Sequence, residues 1–147
     1  METIQKVSNY LVNHADDIIR DMTDTALDNL NIKLTPEELE QAIQKNIQFL
    51  ILLSESLQET EESAEEVLRL WSKQNGEEEA RLFQQFSSVM KPYAVNRLLF
   101  LQKISEISIE HGLSTKDVVK VNNRLCYLMD VSMTETIHSY EIYRDKL

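Results

Sequence analysis

Only two glycines and two prolines occur in 147 residues, and that scarcity does most to limit the fold. An average chain of this length carries roughly ten glycines and seven prolines. Sheet proteins need turn residues about every 8–12 positions, and this chain has almost none. Phosphate loops and dinucleotide fingerprints need several glycines within a short stretch. Gly76 and Gly112 are far too widely separated for either. Rossmann, P-loop and kinase folds are therefore excluded, and the chain reads as all-α. With 42% apolar and 27% charged residues it has the composition of a globular protein, not a disordered one. Its length fits a single domain, residues 1–147.

The formal net charge is −10. Nucleic-acid binders present a basic stripe that displaces counterions, and anionic membranes select for the same charge. Neither partner is expected. The one cysteine, Cys126, makes neither an internal disulfide nor a zinc cluster. The opening METIQKVSNY has no signal-peptide pattern, and the longest apolar run, Phe49 to Leu53, is too short to span a membrane. The expected location is the cytoplasm.

Apolar periodicity predicts helices over about 2–14, 17–31, 36–58, 64–75, 77–90, 93–110 and 115–144, in an architecture of about eight helices. Thr35, Pro36 and Glu38 form the clearest start signal, a capping box with proline at the first position. Ser63 with Glu66 and Ser114 with Asp117 suggest further starts. Asn75-Gly76 reads as a stop, Pro92 as a break or a kink and His111-Gly112 as another stop. The inward face of the last helix is Val118, Val121, Leu125, Leu128, Met129, Ser132, Thr136 and Tyr140. A long antiparallel pair at the end gives globin-like arithmetic.

A globin-like chain invites a haem reading, but no histidine lies between His14 and His111, and ARLFQQFSSVMK, where a proximal ligand belongs, has none. His138 reads as a surface residue and His111 as a neighbour of a helix C-cap. No nucleophile motif accompanies the histidines, so an enzyme is not expected. Arg97 is the informative residue. Its helical neighbours Tyr93, Phe100, Leu101 and Ile104 place a guanidinium on an apolar face, where it needs an anion or several acceptors. Either the side chain snorkels to solvent, or it pairs with a Glu or Asp from another helix, or it receives a bound carboxylate or halide. Asn96, Asn122, Ser132 and Thr136 are further polar groups for such a chamber. Phe83, Phe86, Met90, Phe100, Ile104, Leu125 and Met129 are candidate walls of an apolar tunnel, and equally plain core. Leu98 to Leu101 surround their helix with apolar side chains, which points to a homodimer through the last two helices.

The chain resembles the haem-free globin-like sensor domains of bacilli. These include the N-terminal domains of stressosome co-antagonists and, more closely, the sensor domain of a sporulation histidine kinase. Its free-standing relatives are plasmid-encoded inhibitors of sporulation. The resemblance is carried by NYLVNHADDIIRDMTDTALDNL, QKNIQFLILLSESL and FSSVMKPYAVNRLLFLQKISEISIEHGLSTKDVVKVNNRLCYLMD. The absence of an attached kinase domain agrees with the free-standing members. The resemblance implies a globin fold without haem, dimerisation through the last two helices, and an apolar tunnel associated with a fatty acid and a nearby chloride or other halide. It further implies inhibition of sporulation, by titrating the signal of the histidine kinase or by mimicking its sensor. The alternative is a stressosome-type interaction module with a filled core.

Overall fold

The computed structural model describes residues 2–30, 33–82 and 87–147, the side chains of Glu2, Leu30 and 87–91 excepted. Among these residues the chain is all-α, with six helices and no strand: α1 Glu2–Asn13, α2 Ala15–Leu30, α3 Pro36–Ser56, α4 Glu61–Leu82, α5 Ser87–Glu110 and α6 Thr115–Lys146. None is long and apolar enough to cross a membrane.

Two of the three expected caps form as read. Thr35 Oγ1 accepts from the Glu38 amide at 3.2 Å, and Glu38 Oε1 accepts from the Thr35 amide at 3.0 Å. Ser114 Oγ accepts from the Asp117 amide at 3.2 Å. The expected start at Ser63 is displaced by one turn, because Thr60 Oγ1 accepts from the Ser63 amide at 3.3 Å and α4 opens at Glu61. The stop after α5 is a Schellman closure: Leu113 N donates to Ser108 O and Gly112 N to Ile109 O, both at 3.0 Å, with Gly112 at φ +84°.

The expectation of about eight helices is corrected to six among the described residues. Gly76 does not end a helix. It lies buried inside α4, where a Cβ would stand 2.5 Å from Thr136 O and 2.7 Å from Ser139 Cβ. The glycine is there to let two backbones approach. Pro92 does not break its helix either. It sits in the second turn of α5, where a proline costs one backbone bond.

Alternating contacts give the arrangement. The short α1 and α2, separated at His14, run antiparallel to α3, with Ser8 Oγ donating to Ser54 O at 2.6 Å and Arg20 bridging to Glu40 at 3.0 Å. Between α3 and α4 the pairs Lys45–Glu79 and Gln48–Trp71 run in opposite senses, so these helices are antiparallel. Between α4 and α6 the pairs Glu65–Tyr127, Ser72–Ser132, Lys73–Ser139 and Arg81–Tyr143 advance together, so these are parallel. Their contact is the most extensive among the described residues. The seam is small and polar: Ser72 and Ser132 share a 2.6 Å hydrogen bond, and Thr136 Oγ1 donates to Ser72 O at 3.3 Å.

The expected antiparallel pair at the end of the chain is present, through Ser105–Asn122 and Arg97–Asp130. Yet α6 packs mainly on α4. The inward face read for α6 is buried at Val121, Leu125, Leu128, Met129, Ser132, Thr136 and Tyr140. Leu98 to Leu101 are less uniform than read. Phe100 is buried, Leu99 and Leu101 are half-buried against the core, and Leu98 alone is 69% exposed.

Candidate functional site

A cavity of about 100 Å³ opens where α3, α4, α5 and α6 converge. Each helix contributes side chains at helical spacing. From α3 come Lys45, Asn46 and Phe49. From α4 come Trp71, Asn75 and Glu79, each one turn further along. From α5 come Pro92, Tyr93, Asn96, Arg97 and Phe100, and from α6 Met129, Ser132, Met133 and Thr136.

Five residues read as site candidates meet here: Tyr93, Asn96, Arg97, Phe100 and Met129. Ser132 and Thr136, read as polar groups of the chamber, line it too. Asn122 does not; it accepts from Ser105 Oγ at 3.0 Å elsewhere on the α5–α6 contact. Ile104 and Leu125 are not among the residues that line this cavity; they are buried in the core cluster. Phe83 and Phe86 lie outside the described residues, as does the side chain of Met90. Sequence reading missed the α3 and α4 walls, although the spacing of Asn46 with Phe49, and of Trp71 with Asn75 and Glu79, placed each set on one helical face.

One wall is aromatic. Phe49 stacks on Trp71 with ring centres 5.2 Å apart and meets Phe100 edge-on at 5.5 Å. Tyr93 sits beside them, its hydroxyl donating to Met129 O. Burial pushes the Tyr93 phenol well above the ordinary tyrosine range, so it stays a neutral donor.

The cations are not free. Arg97 is ion-paired with Asp130, and this contact holds the guanidinium firmly protonated, with half-buried Cys126 as a second hydrogen-bonding neighbour. Of the two partners considered for Arg97, the carboxylate from another helix is the one present. Lys45 likewise bridges to Glu78 at 3.3 Å and Glu79 at 3.1 Å. Asn75 Oδ1 differs from these groups: it is buried and has no hydrogen-bond partner among the described residues.

The remaining sequence readings fall outside this cavity. His138 is exposed. His111 closes α5, its Nδ1 2.8 Å from Ile107 O and its ring 4.7 Å from that of Tyr10. Cys126 is half-buried, not part of the closed core. No cluster of three or more metal-ligating side chains occurs among the described residues. A second cavity, of about 40 Å³, lies between α3 and α4 near Leu53 and Leu68 and has room only for a water-sized guest.

Comparison with known proteins returned no matching family model, no matching curated protein and no matching solved structure.

Proposed function

We propose that this chain is a non-catalytic sensor domain with a globin-like helix arrangement that binds a single-chain, fatty-acid-like molecule in the cavity beside Trp71. The observation that supports it most is the cavity's composition, an aromatic and methionine wall adjoining amide and hydroxyl groups where four helices meet. Such a wall suits an amphiphile. Each methylene that leaves water contributes roughly 0.8 kcal/mol. The cavity is smaller than the roughly 150 Å³ that admits benzene in an engineered core. A longer alkyl chain therefore enters as Met129 and Met133, unbranched and flexible, move aside. A halide next to the ligand, as the resemblance implies, must displace Asp130 from Arg97 or Glu79 from Lys45.

In the proposed role the protein acts in the cytoplasm as a homodimer through α5 and α6. It inhibits sporulation by withdrawing the ligand from a sporulation histidine kinase or by mimicking that kinase's sensor. Leu98, Ile109 and Val119 support the dimer face. They are 69%, 64% and 51% exposed. Leu98 and Ile109 stand three helical turns apart on one side of α5. The small size of the cavity favours a second reading, an interaction module of the stressosome type that binds no ligand. Titration of the purified chain with saturated single-chain lipids separates the two. The emission of Trp71, the sole tryptophan, changes saturably if the cavity is a ligand site. An unchanged spectrum at every chain length supports the filled-core module.

A further inference from the structure

We infer that the cavity beside Trp71 selects a ligand whose head group brings a hydrogen-bond donor, such as a hydroxyl, an amide N–H or an un-ionised carboxyl, and disfavours an ionised carboxylate. The inference rests on the reading of this cavity as a ligand site and names the chemistry it accepts.

Charge is the first ground. Lys45 faces Glu78 and Glu79, and Arg97 faces Asp130. Three carboxylates thus surround two cations on this rim. An arriving carboxylate finds its complement already taken and meets an excess of negative charge, whereas a neutral donor meets no such penalty. The unmatched group is the second ground. Asn75 Oδ1 is a buried acceptor with no donor among the described residues, while Ser132 and Thr136, on the α6 wall, are engaged with α4. Buried acceptors are normally paired, and one left alone carries its full desolvation cost until a donor arrives. Position is the third. Asn75 lines the cavity one turn beyond Trp71 on α4, so a rotation of its side chain brings the acceptor to the aromatic wall, as a molecule with an apolar body and a donating head requires.

The test follows Trp71 emission in the full-length chain near neutral pH. The probes share an eight-carbon chain and differ only at the head: octan-1-ol, octanamide, octanoate and methyl octanoate. The alcohol and the amide donate; the ester only accepts; octanoate is charged. The alcohol and amide are expected to bind about tenfold more tightly than the ester, the difference a buried acceptor makes when a donor reaches it, and more tightly than octanoate. In Asn75→Leu the alcohol and the ester become equivalent. In Asp130→Asn, which frees Arg97, octanoate gains affinity and the alcohol does not. If Asn75→Leu does not fold, the comparison of alcohol with ester on the unaltered chain still decides. Tightest binding by octanoate, or equal binding of alcohol and ester, overturns the donor assignment while leaving the cavity a ligand site. No response to any probe removes the ligand site itself, and the donor assignment with it.

Discussion

Arg97 shows how far a residue can be read without its fold. Its helical neighbours place a guanidinium on an apolar face, and the structure does bury part of it beside Tyr93 and Phe100. What sequence spacing did not reveal is which anion meets it. Asp130 is on another helix, and nothing local marks it as the partner. The pair is partly open to solvent, with Arg97 29% and Asp130 65% exposed. Asp130→Asn should therefore cost no more than about 1 kcal/mol of stability in denaturant unfolding. Tyr93 carries a sharper consequence. Burial raises its folded-state pKa above the ordinary value of 10.0. The neutral phenol's contribution to stability is thus complete below that value and is lost as pH rises beyond it. Tyr93→Phe should remove the hydrogen bond to Met129 O, at a cost of about 1 kcal/mol. It should also flatten the alkaline fall in stability relative to the unaltered chain. Equal alkaline slopes in the two proteins would count against this account of the phenol.

At the scale of elements, most helices and two of three caps were legible, because amphipathic spacing and capping residues act locally. The errors fall at Gly76, where packing overrode a local stop signal, and at Pro92, which the second turn of its helix accommodates. Gly76 is needed for the close parallel approach of α4 and α6, a contact between segments about sixty residues apart that no periodicity reveals. Gly76→Ala improves helix propensity yet places a methyl 2.5 Å from Thr136 O. It should lower stability by about 1–3 kcal/mol through overpacking, visible as a drop of several degrees in the unfolding midpoint. A gain in midpoint would mean that the seam is looser than described. The start of α4 offers a paired test. Thr60→Ala should cost about 0.5–2 kcal/mol, the usual worth of an N-cap, and Ser63→Ala appreciably less. The reverse order would restore the start read from sequence.

For the whole molecule, the scarcity of glycine and proline set the class of structure, and the all-α architecture agrees. The cavity was half legible. Tyr93, Asn96, Arg97, Phe100 and Met129 share helix faces that periodicity exposes. The α3 and α4 walls, and the orphaned acceptor of Asn75, depend on how four helices come together. The proposed dimer belongs to this scale as well. Replacing Leu98 and Ile109 together with glutamate should convert a dimer into a monomer in sedimentation velocity without unfolding the chain, since both side chains are solvent-exposed. A monomer before substitution removes the dimer from the account. The central claim is that the cavity beside Trp71 holds a ligand. It is tested most directly by denaturing the purified protein, extracting it with organic solvent and weighing the extract by mass spectrometry. The account predicts one single-chain amphiphile per subunit. An empty extract, from a protein whose Trp71 emission also ignores added alcohols, amides and acids, would contradict it.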